Sequence, residues 1–425
     1  MKIKHACGLL AVLLLFASLA SYPARAEPAA LEWAEVDKPG MKDNVVVTPS
    51  EVSEIAIGDD GVLYASDSEN SRAYRSLDAG ASWEDITRWL VDAGAELPTS
   101  KIAVAPDEPG IVAAVTSDGS KVYLSTDSGA TWTDASIPSI VGTIQTITIS
   151  NQYTEAGKSF REIAIGTAVW GDNVTSGQVW VLRLGETWVS WQDQSLAIDP
   201  SRVGGEVSAL AYSLDYQRDR TLVVVASTAA DVAVDFQNRT WLCLGERDTE
   251  DGTTSWDSFD DYPVEVVAAG DAAGVAWVNS SLALPSDYSS EDESSRRLFV
   301  SYDREPDAGE DVYLIKEDTP YRLDANGGAD INIASISYHG TTDSGTLLTG
   351  DVDPVTETLT VQVRRTSNPF DPMPTWYLST VPPTGPGNAK VNWSPDGEIA
   401  YCGTGQSPGA SLDESAVSAS LDGDK

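Results

Sequence analysis

The sequence predicts an all-β chain: a seven-bladed β-propeller of four-stranded antiparallel blades, with the ring closed by the N-terminal strand. Three observations predict it. One order of apolar strands recurs along the whole chain, two octapeptides repeat one turn template, and the two ends carry complementary halves of that template.

The repeats come in order. A first, innermost strand is predicted to start at Val52, Lys101, Ile144, Val207, Val275, Ile331 and Lys390. Each is followed by a second apolar strand, at Val62–Ala65, Ile111–Val115, Ile163–Gly166, Leu222–Ala226, Leu298–Ser301, Thr346–Thr349 and Ile399–Cys402. A third strand follows with an aromatic or β-branched residue, at Tyr74, Tyr123, Trp180, Trp241, Tyr313, Val361 and, in the seventh copy, near Val417. Period-two alternation broken by Gly, Asp and Ser turns is the pattern of half-buried antiparallel strands.

The octapeptides are Ser76-Leu-Asp78-Ala-Gly80-Ala-Ser-Trp83 and Ser125-Thr-Asp127-Ser-Gly129-Ala-Thr-Trp132. The Ser and Asp side chains can hydrogen-bond the turn's own backbone, Gly relieves the φ restriction, and the Trp opens the next strand and packs beneath it. Ser-x-Asp-x-Gly-x-x-Trp is the Asp-box, and the chain resembles the Asp-box (BNR repeat) β-propellers, whose superfamily includes sialidase-like, photosystem II assembly factor-like and xyloglucanase-like proteins. The resemblance implies that the box is a structural turn lying away from any active centre.

Later blades depart from the template. Blade three has Leu184-Gly185-Glu-Thr-Trp188 at this place, with Arg183 near the Asp position, and blade four expands the turn from Asp248 to Trp256. Blades five and six are read as having no box. The chain stops at Ser420-Leu-Asp422-Gly-Asp-Lys425, a box with Ser and Asp but no Trp, while Trp33-Ala-Glu-Val-Asp-Lys-Pro39 resembles the outer strands after Trp83 and Trp132. The N-terminal strand is therefore expected to complete the last blade and supply its Trp; the alternative is that the chain is a fragment of a longer protein.

Residues 1–26 read as a secretory signal peptide: Lys2 and Lys4, an apolar run from Ala6 to Ala20, then Ala24-Arg25-Ala26. Cys7 precedes the run, which argues against lipid anchoring. No later stretch reaches membrane-spanning length, so residues 27–425 are expected to form one exported propeller, monomeric and without a membrane span. The net charge of −38 grows more negative once Lys2, Lys4 and Arg25 are removed, which disfavours nucleic acid and anionic lipid. Cys243 and Cys402 fall in apolar strand patterns and are expected as buried thiols.

Chemical motifs are scarce. His339, in Ser337-Tyr-His-Gly340, is the one histidine after the leader, too few for a His-ligated zinc cluster, and no phosphate-binding Gly-x-x-x-x-Gly-Lys is present. Sialidases need an arginine triad announced by Arg-Ile-Pro; that tripeptide is missing, and Arg72, Arg75 and Arg88 do not stand in its pattern. Xyloglucanase-like hydrolases place two carboxylates in a cleft between two propellers, and only one propeller is predicted here. The assembly factors use an arginine patch, from which this acidic chain also departs.

Loops between second and third strands should open on one face, and they are acidic: Asp67, Glu69, Asp118, Asp172, Asp231, Asp235, Asp303, Glu305, Asp307, Glu310, Asp311, Asp351, Asp353, Glu357, Asp413 and Glu414. They read either as a solvated rim or as calcium loops, with Asp303, Asp307, Asp351 and Asp353 offering oxygens at alternating spacing. Of thirteen Trp residues, Trp170 in Val169-Trp-Gly-Asp172 begins a polar loop on this face, which makes Trp170 and Asp172 the candidate ligand contacts. The expected function is a secreted or cell-surface binding or scaffold module for an extracellular protein or polysaccharide, without a catalytic residue; the alternative is a glycoside hydrolase, which would need paired carboxylates facing the central channel.

Overall fold

The computed structural model describes residues 34–35, 51–116, 118–169, 177–187, 189–199, 202–203, 205–228, 239–256, 258–259, 261–268, 277–305, 309–352, 361–383, 385, 387–405 and 416–421. Seven antiparallel sheets stand around a central channel as the blades of a propeller. Inner strands are Val52–Ile57, Lys101–Ala105, Thr143–Ile149, Glu206–Tyr212, Trp277–Ala283, Ile333–Gly340 and Asn388–Trp393. Each blade then runs outward through a second, third and outer strand in chain order.

The last blade breaks that order. Its sheet runs Asn388–Trp393, Ile399–Gly405, Val417–Leu421 and then Ala34–Glu35, with Ala34 opposite Ala419 and Glu35 opposite Ser418. The N-terminal strand therefore closes the ring. Trp33 and Asp422 lie outside the described residues.

Among the described residues the apolar core divides into seven clusters, one at each junction between neighbouring blades. A sheet with two apolar faces can bury both only between two others, which is why the clusters sit between blades rather than inside one. The seal between the last and first blades packs Tyr401 and Val417 against Val52, Ile55, Leu63 and Tyr74. Tyr401 also donates its hydroxyl to the carbonyl of Ala79 at 3.1 Å.

Toward the axis, blades come too close for side chains. A Cβ on Gly166 would meet Val207 at 2.2 Å, one on Gly350 the Ala389 carbonyl at 2.2 Å, and one on Gly403 Val52 at 2.6 Å. All three glycines lie on second strands facing the next blade's inner strand, so the chain narrows where the ring is tightest.

Both octapeptides form the turn their sequences predict. Ser76 Oγ donates to Asp78 Oδ1 at 2.8 Å and accepts from Gly80 N at 2.8 Å, while Asp78 accepts from Ser82 N at 2.8 Å. The same bonds recur at Ser125, Asp127, Gly129 and Thr131. Trp132 donates its indole N–H to Gly129 O at 2.9 Å, and both Trp83 and Trp132 are buried.

Blade six, read as having no box, forms a turn with related side-chain bonding. Thr366 Oγ1 donates to Asn368 Oδ1 at 2.9 Å, Asn368 N donates back to Thr366 Oγ1 at 3.3 Å, and Thr375 N donates to Asn368 Oδ1 at 3.1 Å. Thr stands here for Ser and Asn for Asp, with a longer insertion before Trp376, so part of the donor pattern recurs with different residues. In blade three the buried outer-strand indole is Trp191, and Trp188 lies outside the described residues. The expanded segment of blade four is a hairpin between Arg239–Asp248 and Thr253–Trp256, with Gly252 at φ 73°. Several strand starts shift by one or two residues: the fifth inner strand is described from Trp277, the sixth starts at Ile333 and the seventh at Asn388, and the third strand of blade six starts at Val363, two residues after Val361.

One contact recurs that the repeats do not announce. Trp191 donates its indole N–H to Ala135 O, Trp256 to Gln194 O and Trp376 to Leu323 O, at 2.8 to 2.9 Å. Each acceptor directly follows the outer strand of the preceding blade, so the indole ties neighbouring blades at their rims.

Two outcomes test this account. Deleting residues 27–39 strips the partner from Val417–Leu421 and should lower stability by about 3 to 5 kcal/mol, as large core truncations do; an unchanged melting temperature would refute closure by this strand. Asp78 and Asp127 carboxyls sit below their usual value, held down chiefly by the Ser82 hydroxyl and by the backbone N–H of Thr131 respectively. The contribution of these turn carboxylates is thus present at neutral pH and lost as pH falls through and below the usual carboxylate value. Asp78→Ala or Asp127→Ala should cost about 1 to 2 kcal/mol at pH 7, with the difference from the parent shrinking on acidification in thermal melts.

Candidate functional site

The inner strands enclose a central channel of about 820 Å³. Its wall is mostly Ser, Thr, Asn, Gln and small apolar side chains. Inter-blade hydrogen bonds hold that wall: Ser335 Oγ donates to Ala389 O at 2.9 Å, Ser337 Oγ to Asn392 Oδ1 at 3.2 Å, and Asn279 Nδ2 to Ala334 O at 3.2 Å.

Charges are few among the described lining residues. Glu51, Glu54 and Asp118 are the acids, Lys101 and Lys390 the bases. Lys101 Nζ stands 3.4 Å from Glu54 Oε2, bridging blades one and two. Lys390 Nζ instead donates to the Ala334 carbonyl at 3.1 Å. The ring encloses the Lys390 amine even though its side chain keeps some surface toward the lumen. That enclosure pulls the amine down to about 8, helped by the like charge of Lys101 and opposed by Glu54 and Asp303. Sequence reading took Lys101 and Lys390 only as strand starts; nothing local marks a lysine whose partners lie on other blades.

The acidic loops divide. Trp170, Asp172, Asp307 and Asp353 lie outside the described residues, as do Asp231, Asp235, Glu357, Asp413 and Glu414. Several of the rest are buried, which corrects the picture of a solvated rim for them. Asp67 accepts from Glu51 N at 3.0 Å and from Asn70 Nδ2 at 2.8 Å, stapling its own turn. Asp311 accepts from Arg322 Nε at 2.8 Å, Val312 N at 2.7 Å and Ala325 N at 3.1 Å. Asp303 and Glu310 are buried on blade five. Asp351 pairs with Arg364 through Oδ2, and its buried Oδ1 has no hydrogen-bond partner among the described residues. Among the described residues no group of three or more His, Cys, Asp or Glu gathers as a metal ion requires. His339 is exposed at the end of its strand, and Cys243 and Cys402 are buried without a disulfide.

No protein-family model matches the chain, and no curated protein matches it in sequence. Solved structures similar in fold include YCF48 from Cyanidioschyzon merolae, with a TM-score of 0.54 at 12% identity over 93% of this chain and 100% of that one. The WD40 repeats of RRP9 give 0.52 at 11% identity over 93% and 99%. An ancestral GH74 enzyme gives 0.49 at 13% identity, over 92% of this chain and 48% of that one. At these identities the likeness to YCF48 and RRP9 carries the β-propeller fold and not an activity. Among the described residues no helix is long and apolar enough to cross a membrane.

Burial, opposed by Arg364, pushes the Asp351 carboxyl up to about 6. A raised carboxyl binds its proton more tightly in the folded state, so its contribution to stability is lost as pH rises from about 4 to about 6. Melting temperatures of the parent relative to Asp351→Asn should therefore fall across that window and level off above it; a flat difference would refute the burial cause.

Proposed function

We propose that this chain is an Asp-box propeller, exported by its N-terminal leader, that works outside the cell as a non-catalytic binding or scaffold module for a protein or polysaccharide. The observation that supports this reading is the channel wall. Hydrolysis of a glycosidic bond needs two carboxylates flanking the bond, about 5 to 10 Å apart, one of them able to give up a proton. The acids lining the described channel all come from the adjacent blades one and two, and Glu54 is committed to Lys101. The opposite wall, from blades four to six, offers Ser208, Asn279, Ser281, Ser335 and Ser337, which bind and position but carry no charge.

The bonding of the turns at Ser76 and Ser125 supports the Asp-box assignment and a structural role for Asp78 and Asp127. The purified protein should release no reducing ends from xyloglucan, arabinan or sialyl-oligosaccharides, and should show saturable binding without turnover to an extracellular ligand. Hydrolysis that disappears in Glu54→Gln, with folding intact by circular dichroism, would overturn the reading in favour of a hydrolase.

A further inference from the structure

The channel lysines differ in a way that the binding reading does not use. Lys390 is the middle of three residues, Asn388, Lys390 and Asn392, that alternate with buried Ala389, Val391 and Trp393 along the inner strand of blade seven. Period-two alternation puts the three on one face, and all three line the channel. Ser337 donates to the Asn392 side-chain oxygen, so the amide nitrogen of Asn392 is left to serve a guest beside the amine.

Lys101 is held by a carboxylate, whereas Lys390 donates to a neutral backbone carbonyl. The charged groups facing Lys390 are Glu54 and, at the start of the same blade, Glu51; Lys101 and the turn residue Asp118 from blade two; and Asp303 from blade five. Blades three, four and six present Gln145, Thr146, Ser208, Ser335 and Ser337, none of which titrates. An amine enclosed without a salt bridge among the described residues, beside a second cation, keeps a neutral fraction at ordinary pH, and the neutral amine is the nucleophile.

We propose that Lys390 is a carbonyl-capture site: its ε-amine condenses reversibly, inside the channel, with a small aldehyde or the open-chain form of a reducing sugar. The nitrogen lone pair attacks the carbonyl carbon, the carbonyl oxygen takes up protons, water leaves, and a C=N bond joins the ligand to Lys390. Amine and carbonyl give imine and water, with no oxidant or reductant. A channel of about 820 Å³ is of the size that encloses small-molecule ligands, and Asn392 on the same face supplies a donor for a ligand hydroxyl. The capture does not depend on whether the propeller hydrolyses glycans, so its test stands apart from the one above.

The test treats the full-length folded protein at pH 7.4 with glyceraldehyde and cyanoborohydride, which reduces the imine to a stable amine, and reads every lysine by peptide mass spectrometry. Lys390 should label at least tenfold faster than the exposed Lys158 and Lys316. Aldehyde-bearing dextran, too large for the channel, should label the exposed lysines and spare Lys390. Two variants separate activation from simple access. Lys101→Met removes the neighbouring positive charge and should slow Lys390 labelling several-fold, whereas Glu54→Gln removes an opposing charge and should speed it. Labelling of Lys390 no faster than that of Lys158, or rates indifferent to both substitutions in folded variants, would overturn the proposal.

Discussion

The constraint on which everything else depends is that a four-stranded blade has two apolar faces and no way to bury either alone. Each blade here is stable only between two neighbours, so the ring must close. The chain meets this with Ala34–Glu35 paired to the last blade, and with Tyr401 and Val417 packed against blade one. Near the axis the fit is set by Gly166, Gly350 and Gly403, where a methyl group would strike the next blade. At the rim it is set by indoles, since Trp191, Trp256 and Trp376 each reach back to a carbonyl of the preceding blade. Glycine inside and tryptophan outside produce the wedge shape that seven blades need.

Acidity is handled unevenly. Several carboxylates are buried and matched to arginines: Glu162 to Arg247, Asp311 to Arg322, Asp351 to Arg364. The first pair is bidentate at 2.9 and 3.1 Å, lies wholly inside the junction of blades three and four, and takes a further bond from the Tyr216 hydroxyl at 2.5 Å. Such pairs offset the cost of desolvation and act as registration marks between strands, since removing either partner leaves a buried charge uncompensated. In a chain with 27 basic residues against 65 acidic ones, assigning arginines to this duty leaves few cations elsewhere. Two lysines nevertheless stand in the channel, where they are the bases of the described lining. That placement gives the channel its chemical character.

The strand order, the blade number and the closure were readable in the chain, because antiparallel strands write a period of two and their turns demand particular residue types. The positions of Val52, Lys101, Val207 and Lys390 as inner-strand residues follow from that local pattern alone. The octapeptide turns were equally legible at Ser76 and Ser125, where the template is intact. The related turn at Thr366 was not, because hydrogen bonding tolerates Thr for Ser and Asn for Asp while a written motif does not.

Pairings between blades were not legible, and they decide the site. Lys101 and Glu54 are separated by a blade's length of chain, as are Lys390 and Ala334, and no local spacing relates them. The acids that looked like one rim divide into turn staples, buried ion pairs and loops because burial depends on which blade stands opposite. Sequence by itself determined the architecture, through periodicity and turn chemistry that act over a few residues. Only the tertiary structure decided which charges meet and which amine is left enclosed, since those depend on distances across the ring that exist only once the ring has closed.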